Sequence, residues 1–146
     1  GAPLAIPVDG QRLIPDQLFA LDYGGSFRTF ALEVDRGTEP KTTATKRKSY
    51  VNSIELYRKL IERQIHKSHY GLKASLLVLW VFNSRTNEAR FLEMVRTTGG
   101  SFASVVLTKS VTNENCNFSQ SSLLESFYTE PWNRAVGEPV SISLSM

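Results

Sequence analysis

Three carboxylates interrupt two apolar runs near the start of the chain: Asp16 lies in the first run, and Glu33 and Asp35 lie in the second. Carboxylates brought together repel one another, and burying them without a partner is costly, so such a group needs a cation or bulk water. Magnesium, or manganese in its place, fits this need because it takes one or two carboxylates together with water and substrate phosphate. Such an ion polarises a phosphate and activates water, which is the chemistry of phosphodiester hydrolysis.

A hairpin is what would bring these acids together. Residues 13–23 and 26–35 read as two strands, and Gly24-Gly25 suits a two-residue turn with positive φ at both positions. Asp16 then pairs with Glu33, and Asp35 lies on the same face two residues further along. The opposite face is expected to supply core residues, namely Phe19, Phe30, Leu32 and Val34. Two alternatives remain: this sheet face is exposed to solvent, or Arg28 or Arg36 pairs with the acids.

A basic segment follows the hairpin. Between residues 41 and 73, nine lysines and arginines stand against two glutamates. Residues 36–48 read as a polar loop with a basic end. From Ser49, a plausible N-cap, apolar side chains recur every three or four residues as far as Ile65, which predicts a helix that stops near Gly71. A basic segment of this kind is either a solvated helix face or a surface for an anionic partner.

The remaining chain alternates strand and helix. Residues 74–84 are almost continuously apolar, as in a strand buried on both faces. Residues 86–98 predict a second helix, capped by Thr86 or Asn87 and stopped by Gly99-Gly100, and residues 101–110 predict a further strand. The tail is expected to hold a short helix ending before Pro131 and an edge strand over residues 139–146. This order predicts an α/β sandwich with a mixed sheet.

The totals limit the possible classes of protein. A chain of 146 residues that is 41% hydrophobic suffices for one domain, residues 1–146, with its own core. Cys116 is the single cysteine, which excludes an internal disulfide and favours a reducing, cytoplasmic location. No apolar run approaches the ~18 residues of a membrane span. The chain opens in mid-pattern, so we expect a fragment of a longer protein.

The order "PD", hairpin, "EVD", helix resembles the PD-(D/E)XK nuclease superfamily. More narrowly, "IPDQLFAL" and "FALEVDRGTEP" resemble the C-terminal domain of the replication-relaxation family of bacterial mobile-element proteins. The resemblance implies a restriction-endonuclease-like three-layer sandwich with flanking helices, action on DNA, and a missing N-terminal domain or another protein partner. It also implies that Asp16 and Glu33 are the metal-binding acids.

The superfamily lysine is expected two residues after Glu33, where this chain has Asp35. Three outcomes are open. Lys46 or Lys48, from the start of the next helix, takes the place of the lysine. Alternatively, Asp35 is a third metal ligand in a two-ion site. In the third outcome the domain is catalytically inactive and serves as a DNA-binding or protein-docking module.

Whether the domain cleaves DNA or only binds it, the basic residues that follow the acids are expected to hold the DNA backbone. The predicted nucleic-acid contacts are Lys41, Lys46, Arg47, Lys48 and Arg58.

Overall fold

The structure is a computed structural model, and it describes residues 5–35, 43–65, 67, 76–111 and 127–143. A small hairpin comes first, formed by β1 (Ile6–Val8) and β2 (Gln11–Leu13). Its turn is Asp9-Gly10, with both residues at positive φ. The Asp9 carboxylate contacts the ammonium of Lys59 at 2.8 Å and the guanidinium of Arg63, which ties this hairpin to the following helix.

The predicted acid-bearing hairpin forms in the predicted register. It consists of β3 (Gln17–Asp22) and β4 (Phe27–Asp35), and its paired residues run from Asp22↔Phe27 to Gln17↔Leu32. Gly24 and Gly25 have φ of 78° and 109°, and both backbone N–H groups donate to the Asp22 carboxylate at 3.0 Å. The glycines and this side-chain acceptor fix the two-residue loop.

The first long helix, α1 (Thr43–Glu62), begins before the predicted N-cap. Ser49 is therefore an interior residue, and the expectation of a basic loop up to residue 48 was wrong over residues 43–48. The stretch preceding Ser49 contains good helix formers and neither glycine nor proline, so nothing stops the helix from extending backwards. Lys46, Arg47 and Lys48 thus lie on the first turns of a helix.

The second half of the sheet is built by β5 (Leu76–Phe82) and β6 (Val106–Ser110), with α2 (Arg85–Thr98) between them. Every residue of β5 is buried, as predicted for a strand covered on both faces. The cap of α2 is Ser84, whose Oγ accepts from the Asn87 backbone N–H at 3.2 Å, and not Thr86 or Asn87. A 3₁₀ helix, Gly100–Ser104, occupies the first part of the segment that was predicted as strand.

The sheet is mixed, as predicted, in the order β3-β4-β5-β6-β7. Strands β4, β5 and β6 are parallel, and β7 (Asn133–Arg134) pairs antiparallel with β6. The predicted terminal edge strand appears, over residues 139–143, only as a bridge between Trp132 and Val140. Residues 127–129, the described part of the segment that was predicted as a short helix before Pro131, are helical.

Two apolar clusters lie on the two faces of the sheet. Side chains of α1, α2 and the 3₁₀ helix form one cluster with one face of β4 and β5. The other cluster joins the opposite face to the C-terminal segment, residues 127–143, around Trp132. Phe19, Phe30 and Leu32 take this second face as predicted, whereas Val34 shares it but stays 37% exposed and supplies little core. The α/β class is confirmed, and no helix of the described residues is long and apolar enough to cross a membrane.

Candidate functional site

Strand β4 directs Glu33 and Asp35 toward α1, on the face of the sheet that the helices cover. Glu33 Oε1 accepts a hydrogen bond from the Tyr57 hydroxyl at 3.2 Å, and Asp35 accepts one from the Tyr50 hydroxyl. Both acids are half-buried, while Tyr50 and Tyr57 are buried. The alternative of an open, solvated sheet face therefore does not hold for these two acids.

Asp16 lies beside Glu33, just beyond the end of the paired register. Its backbone N–H donates to the Leu32 carbonyl at 3.0 Å, and its carboxylate accepts from the Val34 N–H at 2.8 Å. These two bonds fix both the main chain and the side chain of Asp16 against the end of β4. The side chain remains exposed, so this pair consists of one solvated and one half-buried carboxylate.

The protonation of Glu33 reflects these surroundings. Burial, together with the negative charge of Asp16, raises the pKa of the Glu33 carboxyl from 4.5 to about 7. Hydrogen bonds from the Tyr57 hydroxyl and the Asp16 backbone oppose the shift. Among the residues that the structure describes, no cation lowers this pKa, and a divalent cation bound by the two carboxylates would do so.

Asp35 is held by the helix that follows it. The Lys46 ammonium lies 3.3 Å from Asp35 Oδ1, and the side chains of both are less than one-fifth exposed. The Lys46 ammonium also lies 5.9 Å from the centroid of the Tyr50 ring. Burial and the neighbouring carboxylate together raise the pKa of the Tyr50 hydroxyl, so it stays a hydrogen-bond donor. A lysine from the start of α1 therefore reaches the strand position where the superfamily pattern has its own lysine.

The other predicted site residues are dispersed. Lys48 is exposed and lies two residues from Lys46, roughly 200° around the helix, so it points away from the acids. Arg47 lies at the rim between α1 and α2. Arg58 pairs with Glu62 at 3.1 Å, one turn further along the helix. Lys41 falls outside the described residues.

The acids that were expected to bind metal provide two neighbouring carboxylates. Among the described residues no group of three or more His, Cys, Asp or Glu side chains is placed to hold a metal ion. Asp16 and Glu33 form a two-carboxylate set that fits magnesium, because magnesium usually keeps several waters. Asp35 already forms an ion pair with Lys46. Its role as a third metal ligand stays a prediction.

Tyr50 and Tyr57 are site residues that the sequence analysis did not identify, because their spacing already explained them as core. The sequence contained a usable indication. A buried tyrosine hydroxyl needs a hydrogen-bond partner, and the acids on the facing strand are the acceptors within reach. Asn87 and Arg90 of α2, which face the start of α1, were also missed, since nothing local links residues 46 and 90.

Residues 5–76 match the family model described as replication-relaxation. The match supports the narrower of the two family resemblances, the one to the replication-relaxation family. It spans β1 through α1, so the whole acid cluster and Lys46 lie within the replication-relaxation segment. The wider PD-(D/E)XK relationship and the restriction-endonuclease-like arrangement stay predictions. No curated protein and no solved structure matches the chain.

Proposed function

We propose that this domain acts on DNA during replication or transfer of a mobile genetic element, and that it hydrolyses phosphodiester bonds with a divalent metal ion. The replication-relaxation match supports the biological context. The observation that carries the chemistry is the placement of Asp16 beside Glu33 on a face to which α1 brings Lys46. Two acids can hold a divalent ion that activates water, and a lysine can stabilise the negative charge that develops on the phosphate.

Each side chain has a defined task in this proposal. Asp16 and Glu33 would hold the ion, and the Tyr57 hydroxyl orients Glu33. When bound, magnesium supplies the positive charge that polarises the scissile phosphate and lowers the pKa of water. Lys46 stabilises negative charge that develops on the phosphate, and Asp35, itself held by Tyr50, positions the Lys46 ammonium.

A second candidate is a catalytically inactive module of the same fold that binds DNA or docks a protein. The ion pair between Lys46 and Asp35 favours it, because a lysine already neutralised by a carboxylate has less charge to offer a phosphate. In this case Asp16 and Glu33 would serve only to position the main chain. Binding without cleavage is its expected behaviour.

Cleavage of supercoiled plasmid with manganese or magnesium separates these candidates. We expect the unaltered protein to nick DNA, and Asp16→Asn and Glu33→Gln to lose at least about a hundredfold in rate. Lys46→Ala should lose about tenfold to a hundredfold, while Arg12→Ala, which removes a positive charge at an exposed position of β2, serves as the control and keeps its rate. DNA binding without nicking by the unaltered protein would refute hydrolysis and leave the second candidate.

A further inference from the structure

A groove of about 370 Å³ lies between the start of α1 and the facing side of α2. Residues that line it include Lys46, Arg47 and Tyr50 from α1 and Asn87, Arg90 and Met94 from α2. Its volume falls within the range of ~300–1,000 Å³ that is typical of small-ligand sites. The groove therefore has room for a ligand of the size of one nucleotide, but not for a duplex.

The charge of this groove is positive. Arg47 and Arg90 are exposed on opposite walls, and no ion pair to either guanidinium is found in the part of the chain that the structure describes. Glu93 also lines the groove, but it pairs with Arg96 at 3.3 Å. Two guanidiniums facing one cleft attract phosphate, which arginine binds through paired N–H donors.

The same groove also offers apolar and hydrogen-bonding surface. Met94 is half-buried and packs against the helix-side core, so its exposed part presents an apolar surface to the groove. Asn87 is half-buried, and its amide supplies both a donor and an acceptor. The guanidiniums of the groove suit the phosphate of a nucleotide, and its apolar and amide surface suits the base.

We propose that this groove binds one nucleotide unit of a single DNA strand. Arg47 and Arg90 hold its phosphate, and Met94 and Asn87 contact its base. The proposal deepens the proposed function, on which it rests for DNA as the source of the nucleotide. Lys46 lines the groove and also contacts Asp35, so the bound nucleotide would lie beside Lys46, whose partner Asp35 is two residues from Glu33 on β4.

Fluorescence anisotropy with a labelled oligo-dT tests this proposal in EDTA, where no metal contributes. We expect Arg90→Glu to weaken binding about tenfold at low salt. Asn87→Trp fills the groove without changing its charge and should weaken binding similarly. Arg12→Glu makes the same charge reversal at an exposed position of β2 and should change affinity less than twofold. Thermal unfolding confirms that each variant is folded.

Two results would overturn the groove as the binding site. One is unaltered affinity in Asn87→Trp, and the other is an equal loss in Arg12→Glu and Arg90→Glu. Competition distinguishes a DNA strand from a free nucleotide as the ligand. We expect a longer unlabelled strand to displace the probe at lower concentration than dTMP does. Displacement by dTMP at equal or lower concentration would indicate a free-nucleotide site and refute the DNA strand as ligand.

The nicking assay keeps this proposal separate from the proposed function. If the protein never nicks plasmid but its oligonucleotide binding depends on the groove, the proposal of hydrolysis fails and the proposal of a nucleotide-binding groove stands. If the unaltered protein nicks plasmid and Arg90→Glu binds the oligonucleotide with unchanged affinity, the proposal of hydrolysis stands and the groove is not the binding site.

Discussion

Glu33 is the residue whose charge depends most on its surroundings. Its folded pKa of about 7 exceeds its ordinary value of 4.5, so between these pH values the folded protein binds a proton that the unfolded chain has released. Stability is therefore highest below pH 4.5 with respect to this group and falls as pH rises to 7. The full shift corresponds to about 3 kcal/mol, and partial access of water reduces this to about 2 kcal/mol.

Glu33→Gln should abolish most of this pH dependence. In urea unfolding with EDTA, we expect the unaltered protein to lose about 2 kcal/mol more than Glu33→Gln between pH 5 and pH 8. Asp16→Asn should reduce the difference only partly, because it removes the neighbouring charge and leaves the burial. Equal pH profiles for the unaltered protein and Glu33→Gln would show that Glu33 does not carry the shift.

The pairing of Asp16 with Glu33 could be predicted from the sequence, because the Gly24-Gly25 turn sets the register and side chains alternate between the two faces of a strand. It did not predict what holds Asp35. That contact depends on where α1 starts and how it lies on the sheet, and a single sequence leaves both undefined. Lys46 was one of two lysines considered, and only the rotation of α1 separates it from Lys48.

At the scale of elements, the start of α1 determines where the basic side chains lie. The predicted start at Ser49 was wrong by six residues. A residue that suits an N-cap does not set the start of a helix when the residues before it also favour helix. The cap of α2 is Ser84 and not the predicted Thr86 or Asn87, because the Ser84 hydroxyl accepts from the Asn87 backbone N–H. Helix type and face were predictable from periodicity, whereas boundaries depended on competing neighbours.

Lys48→Pro tests the boundary of α1. If the helix starts at Thr43, Lys48 is interior, and proline there removes a backbone hydrogen bond and clashes with the preceding turn, which costs about 3 kcal/mol or more. If the helix started at Ser49, proline would precede it and cost little. Lys48→Ala is the control and should change stability by less than about 0.5 kcal/mol. The readout is urea unfolding followed by circular dichroism.

At the scale of the molecule, the sheet carries its helices on one face, and the C-terminal segment covers part of the other. Trp132 is fully buried, donates its indole N–H to the Phe127 carbonyl at 2.9 Å, and has the Lys109 ammonium 4.8 Å from its ring centroid. The Tyr23 hydroxyl donates to the Ile142 carbonyl, which joins this segment to β3. This layer could hardly be predicted from the sequence, because a short irregular segment has no hydrophobic periodicity.

The C-terminal segment lies beyond residues 5–76, yet the packing makes it part of the same core. Trp132→Ala should therefore destabilise the whole domain by about 3–5 kcal/mol, in one cooperative transition. Tyr128→Ala removes an aromatic ring of the same segment that is 39% exposed and should cost much less. A small effect of Trp132→Ala, similar to that of Tyr128→Ala, would show that this segment is not needed for the fold.

Asp16 and Glu33 are proposed to form a carboxylate pair that takes a divalent cation. The most direct measurement is the pKa of the Glu33 carboxyl by NMR of the carbon-13-labelled side chain, with EDTA and then with magnesium. We predict a pKa of about 7 without the ion. Magnesium should lower it by at least about one unit, and Asp16→Asn should weaken that response. A pKa near 4.5 that magnesium leaves unchanged would contradict the account.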